Sequence, residues 1–262
     1  MTSYTHSVPT LVAHRGWAAR YPENTLLAFK EAVAAGAYFI EFDIQMCKDG
    51  TPVILHDPFL VRTSGVNKNV FDCTYESIKD IRTCENRRFG KRFLHDDTNI
   101  PTLSRVVEWM AGQTAVKAFL DIKVESLKKY GAETVIKTVM DAIGPISKRC
   151  CVISKDTAAL GYARRLGVHR IGWVLQSWTE AARRKALELA PEYLFVNHKK
   201  TPSSSCLFWP GSWRWTIYEV DRPEMAMQLH RRGADLIETM DIGTMLKHPN
   251  LHPGESCDSH TL

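Results

Sequence analysis

Glu41 and Asp43 stand two positions apart in the run Ile40-Glu41-Phe42-Asp43, the spacing at which residues of an extended strand share one face. Phe42 then points the other way, toward a covering layer. Carboxylates crowded on one face repel and resist ionisation, and a bound cation is their natural compensation. The same alternation in Phe119-Leu120-Asp121-Ile122-Lys123 puts Asp121 and Lys123 together, adding a third carboxylate and an ammonium group. Oxygen ligands without cysteine suit a hard divalent ion, Mg2+ or Ca2+. One Glu-x-Asp on a strand is commonly an exposed edge, and one lysine a surface residue. Asp121 and Lys123 joining the pair turns the balance toward metal and phosphate chemistry.

Two histidines supply the other half of a reaction centre. His14 ends an apolar run and is followed by Arg15-Gly16, while His56 ends Pro52-Val53-Ile54-Leu55. Either alone is more often a packed or surface residue. Two converging on a carboxylate cluster reverse that weighting. Phosphodiester hydrolysis needs one group to take a proton from the attacking oxygen, another to protonate the leaving alkoxide, and cations to offset developing charge. His14, His56, the metal ion, Arg15 and Lys123 meet those needs.

Such residues must be carried to one place by the elements around them. Strand-like runs at residues 10–13, 38–44, 118–122, 150–153, 170–175, 193–196, 215–220 and 235–238 alternate with amphipathic stretches, the pattern of a parallel sheet. Three helices have readable ends: 24–35 closed by Gly36, 157–166 opened by Asp156 and closed by Gly167, and 223–232 closed by Gly233. Eight such strands, with chemistry at the ends of several, predict a single α/β domain over residues 1–262, a (β/α)8 TIM barrel whose site lies at the C-terminal strand ends. An open doubly wound sheet is the rival, but no GxGxxG follows the first run.

Residues 52–56 break the rhythm. The turn Lys48-Asp49-Gly50 is too short for a parallel crossover, so it predicts an antiparallel hairpin that sets Leu55 and His56 opposite Asp43 and Phe42. His56 thereby returns to the mouth of the second strand. The hairpin opens an insertion over residues 45–99, a helix then starts near Thr102, and the tail at 251–262 lacks periodicity and reads as loose.

With 44% hydrophobic and 24% charged residues and a net charge of +5, the 262-residue chain has ordinary globular composition, far from that of disordered segments. Its basic residues are scattered rather than gathered in a stripe with interleaved aromatics, which argues against nucleic acid and suits a small anionic substrate. No run approaches the roughly 18 apolar residues of a membrane span, and the first residues lack a signal peptide's basic and apolar segments, so a soluble cytoplasmic protein is expected. Seven cysteines without a CxxC pair point away from zinc and toward reduced thiols. Cys150 and Cys151 read as small buried hydrophobes at the start of a strand.

In order along the chain, LVAHRG (11–16), YPENTLLAF (21–29), IEFDIQMCKDGTPVILHD (40–57) and IPTL (100–103) resemble the N-terminal signature of bacterial glycerophosphodiester phosphodiesterases. Weaker resemblance continues through Asp121-Ile122-Lys123, Val196-Asn197-His198-Lys199, Tyr218-Glu219-Val220-Asp221 and the run from Gly233 to Thr239. It is closest to the compact cytoplasmic enzymes. The resemblance implies a barrel that hydrolyses glycerophosphodiesters such as glycerophosphocholine to glycerol 3-phosphate and an alcohol. It implies a divalent metal on Glu41, Asp43 and a third carboxylate, catalysis by His14 and His56, and phosphate binding by Arg15 and Lys123. Glu23 and Asn24 would lie near the site, although Asn24 is equally explained as a helix N-cap. Asn197, Lys199 and Tyr218 would line it.

Departures from the family pattern fall mainly in the C-terminal half. Asp121 stands where many relatives have glutamate, Tyr218 where tryptophan is common, Glu219 in place of threonine, and Met240 in place of a closing aspartate. They bear on substrate choice more than on the reaction. Two rivals remain. A lysophospholipase D-like enzyme would need a lipid-docking face, and residues 62–99 offer only scattered Phe71, Phe89, Phe93 and Leu94. A catalytically idle phosphodiester-binding barrel would have no need of intact His14, His56, Glu41 and Asp43.

Overall fold

The computed structural model describes residues 8–93, 97–202 and 206–251. Among these, the strands in chain order are β1 (Thr10–His14), β2 (Phe39–Met46), β3 (Pro52–Ile54), β4 (Lys117–Ile122), β5 (Cys150–Ser154), β6 (Ile171–Val174), β7 (Tyr193–Asn197), β8 (Arg214–Tyr218) and β9 (Leu236–Thr239). All but β3 run parallel, each beside its neighbour, and β1 pairs with both β2 and β9. That second pairing closes an eight-stranded barrel with helices between the strands. β3 is the expected hairpin arm, antiparallel to β2 with Ile44 opposite Ile54.

Side-chain alternation divides the apolar residues into two cores. In β4, Ala118, Leu120 and Ile122 face the helices, while Phe119 enters the barrel. Below the site the interior is plugged by aromatic rings, with Phe119 5.0 Å from Tyr193 and 5.1 Å from Phe195 between centroids. Truncating a plug residue such as Phe119 to alanine should cost about 3–5 kcal/mol. Gly172 makes room for this packing, since a Cβ there would lie 2.8 Å from both Ile153 and Phe195.

Helix boundaries follow their caps. The helix Thr157–Arg165 is opened by Asp156, whose side chain accepts from Ala158 and Ala159, as the sequence predicts. The first helix differs. It spans Leu26–Ala34 and its N-cap is Thr25, which accepts from the Ala28 N–H at 3.1 Å, so Asn24 is not the cap. The seventh barrel strand, β8, also stops early, at Tyr218 rather than 220, because Glu219 turns into the left-handed region (φ 61°).

The excursion after β2 packs around a small core of its own, including Cys47, Leu60, Val70, Ile78 and Ile100. It ends where Thr102 caps the helix Leu103–Ala111. Among the described residues no helix is long and apolar enough to cross a membrane. Apart from Leu251, the tail expected to be loose lies outside the described residues, as do Leu94 and Cys257.

Candidate active site

β1 ends at His14, and the chain leaves it through two successive left-handed residues, Arg15 (φ 56°) and Gly16 (φ 80°). Any side chain on Gly16 would place its Cβ 2.7 Å from the Ala28 carbonyl carbon, so glycine is required there. The turn folds Arg15 back over the strand ends. Its N–H donates to Glu41 Oε2 at 3.2 Å, its Nη1 donates to Glu23 Oε1 at 3.1 Å, and its Nε lies 3.1 Å from Asp43 Oδ2. Just past β4, Lys123 Nζ sits 2.5 Å from Asp43 Oδ1 and 2.6 Å from Asp121 Oδ2.

The hairpin delivers His56. The Leu55 N–H donates to the Asp43 carbonyl at 3.0 Å, and Gln45 Nε2 donates to the His56 carbonyl at 3.1 Å. His56 Nδ1 lies 2.6 Å from Asp57 Oδ1, which orients the ring and leaves Nε2 outside that contact. Arg62 clamps the arrangement by donating from Nε to Asp57 and from Nη1 and Nη2 to Glu23 at 2.8 and 2.7 Å. Both histidines, Arg15, Lys123 and the three carboxylates line one cavity of about 210 Å³ at the C-terminal ends of the strands.

Oxygens of Glu41, Asp43 and Asp121, all buried, lie within 4.8 Å of one another. Two unit charges at that separation repel by about 3–4 kcal/mol at an effective dielectric of about 20. Burial, then Asp43, pushes the Glu41 carboxyl well above the usual range, and burial, then Asp121, does the same to Glu238. Burial opposes the charge of Asp43 too, but Lys123 and Arg15 outweigh it and hold that carboxyl well below the usual range. Burial, then Arg15, lowers the His14 imidazole well below its ordinary value. Burial and Glu238 push the Tyr218 phenol up to about 12. Glu238 Oε1 has no hydrogen-bond partner among the described residues. A buried all-oxygen cluster with an unpartnered carboxylate oxygen beside it fits a hard divalent cation, whose charge would offset the burial and repulsion that raise Glu41 and Glu238.

The sequence profile of the glycerophosphoryl diester phosphodiesterase family matches residues 14–197. The chain belongs to that family. It is therefore an enzyme of the phosphoric diester hydrolase class. A glycerophosphodiester phosphodiesterase of Caldanaerobacter subterraneus subsp. tengcongensis is 30% identical over 246 residues, covering 90% of this chain and 96% of the relative. YqiK, an uncharacterized protein of Bacillus subtilis, is 37% identical over 238 residues, 86% of this chain and 92% of its own. The same fold is seen in a phosphodiesterase of Oleispira antarctica in complex with the product sn-glycerol-3-phosphate (TM-score 0.77, 20% identity, 91% and 95% of the two chains). It recurs in a glycerophosphodiester phosphodiesterase of Parabacteroides distasonis (TM-score 0.70, 19% identity, 90% and 94%).

Not every residue expected at the site of this family member lines the catalytic cavity. Asn197 and Tyr218 do, whereas Lys199 faces an adjoining cavity of about 300 Å³ shared with His14, Arg15 and Glu219. The 3-10 turn His198–Lys200 separates the lysines, and Lys200 takes the place in the catalytic cavity. Glu23 and Asn24, each 3% exposed, are absent from the lining and hold Arg15, Arg62 and Asp43 from behind.

Glu238, Lys155, Lys200 and Glu219 also line the cavity, and none was singled out from the sequence as a site residue. For two of them the signal was present. Glu238 shares a face with Leu236, which fills the barrel interior, and Lys155 lies two residues past inward-facing Ile153. Arg62 carries no such signal, because its position depends on how the excursion folds.

Proposed function

We propose that this chain hydrolyses glycerophosphodiesters to glycerol 3-phosphate and an alcohol, with His14 and His56 as the acid–base pair and a divalent cation, Mg2+ or Ca2+, on Glu41, Asp43 and Asp121. The observation that carries it is the meeting of two histidines, two phosphate-seeking cations and a buried carboxylate cluster in one cavity. When bound, the cation would supply positive charge against that developing on the phosphoryl oxygens.

The chain's own groups do the rest. Arg15 and Lys123 orient the phosphate, each already held in place by Asp43. One histidine takes a proton from the attacking oxygen as the new P–O bond forms, either that of water or that of the substrate's own glycerol hydroxyl, in which case water then opens the resulting cyclic phosphate to glycerol 3-phosphate. The other gives a proton to the alcohol oxygen as the old P–O bond breaks. Asp57 and Arg62 keep the His56 ring aimed, and the domain as a whole serves as the rigid support for these strand-end groups. Cytoplasmic residence is inferred from the cysteine usage and from the compact relatives the sequence resembles.

Incubating the purified protein with glycerophosphocholine and Mg2+ or Ca2+ should release glycerol 3-phosphate and choline. Release of phosphocholine would overturn the bond assignment, and no turnover with any glycerophosphodiester would overturn the activity. Lysophosphatidylcholine in a parallel arm tests a lipid substrate, which the exposed Phe59 (51%) and Val61 (48%) of the excursion would favour.

A further inference from the structure

The opposite end of the barrel carries a second concentration of charge. Phe39, Lys117, Cys150, Tyr193 and Arg214 are the first residues of β2, β4, β5, β7 and β8, and Arg170 immediately precedes β6. Around this N-terminal mouth, Lys117, Arg149, Arg170 and Arg214 line a cavity of about 110 Å³ floored by aromatic rings. Among the described residues none of its lining is aspartate or glutamate. The interior plug around Phe119 separates it from the catalytic cavity.

The partners of these cations do not neutralise them. Arg149 donates to the carbonyls of Gln113, Val116 and Met110 at 2.7, 2.9 and 2.9 Å, and Arg170 donates to the Lys148 carbonyl at 2.8 Å. Lys117 Nζ stands 5.4 Å from the Phe39 ring centroid and the Arg214 guanidinium 6.0 Å from that of Tyr193. Glu192, whose charge is felt at neighbouring Cys151, is engaged by the Ile171 N–H at 2.8 Å and by Arg164 at 3.3 Å. Burial, then Arg170 and Arg214, pulls the Lys117 ammonium below its usual range. The cluster thus carries a like-charge cost that an anion would remove.

We infer that this mouth binds one small tetrahedral oxyanion, the phosphate ion or the phosphoryl group of a phosphate monoester, between Lys117, Arg170 and Arg214. Ligand cavities for larger organic molecules span about 300–1,000 Å³, so the space suits an ion or a single phosphoryl group. Guanidinium groups grip such oxygens through paired N–H donors, and the lysine adds a point charge. The same chemistry is presented by free phosphate and by the phosphoryl end of glycerol 3-phosphate.

Calorimetric titration of the full chain in phosphate-free buffer tests this, with inorganic phosphate and, separately, glycerol 3-phosphate. Wild type is compared with Lys117→Met and Arg170→Gln; Arg170 is exposed, so its replacement should leave the fold intact, which circular dichroism checks. Each substitution should weaken one phosphate-binding event by about tenfold or more, as loss of a charge-assisted contact does, while kcat/KM on glycerophosphocholine stays unchanged in Arg170→Gln. The same loss with glycerol 3-phosphate identifies a monoester site, and loss with inorganic phosphate alone identifies a site for the free ion. A wild-type phosphate isotherm that neither substitution alters would overturn the inference.

Discussion

Asn24 holds Asp43 from two sides: its Nδ2 donates to Asp43 Oδ2 at 2.7 Å, and its Oδ1 accepts the Asp43 N–H at 3.3 Å. The left-handed backbone at Asn24 (φ 58°) is one that asparagine tolerates better than most residues. Asn24→Ala removes both bonds inside a buried network. Activity at limiting cation should fall by about 10–100-fold, as for other residues that orient metal ligands, with partial recovery in excess cation. Urea melts should show a stability loss of about 1–3 kcal/mol. Superimposable metal titrations for variant and wild type would mean that Asn24 does not orient a ligand.

His14→Ala and His56→Ala should each lower turnover by at least about a hundredfold while the protein stays folded, since general acid–base groups contribute two to four orders of magnitude. A near-normal rate in either variant removes that histidine from the mechanism. Circular dichroism checks the fold.

Asp121→Asn keeps the shape of the side chain and removes its charge, so metal affinity should weaken and excess cation should restore part of the activity. Titrating Mg2+, Ca2+ and Mn2+ into metal-stripped protein tests it, because an unchanged apparent constant excludes Asp121 as a ligand. Glu238→Gln tests the neighbouring acid. A buried carboxyl with a raised folded-state value contributes stability at low pH that is lost as pH rises, so this variant should melt higher than wild type at about pH 8 without cation. The two should converge in mild acid.

The hydrogen bond from His56, with Arg62, outweighs burial and holds the Asp57 carboxyl far below its ordinary value. The sign follows: a depressed carboxyl contributes stability above its unfolded value, near about pH 4, and that contribution is lost as pH falls. With its partner Arg62 well exposed, the contribution is discounted for solvent screening to about 1 kcal/mol. Urea melts between about pH 6 and pH 3 should therefore show a steeper stability loss for wild type than for Asp57→Asn. Parallel curves would show that the Asp57 charge contributes nothing.

Side-chain alternation and turn length, both local properties, determined much of this protein. The period of two placed Glu41 with Asp43 and Asp121 with Lys123 on inward faces, and the short Lys48-Asp49-Gly50 turn required the hairpin that brings back His56. The same rule reached Glu238 and Lys155 in principle. Only the closed barrel decided the rest. Closure sets β9 beside β1 and so puts Glu238 at the carboxylate cluster, a neighbourhood between residues some 200 positions apart that no local period contains. The excursion's own packing brings Arg62 to Glu23 and Asp57, and the backbone turn at Asn24 gives the N-cap to Thr25 while aiming Asn24 at Asp43. Sequence periodicity specifies which way a side chain faces, whereas which partner it meets depends on strands and loops closing in three dimensions.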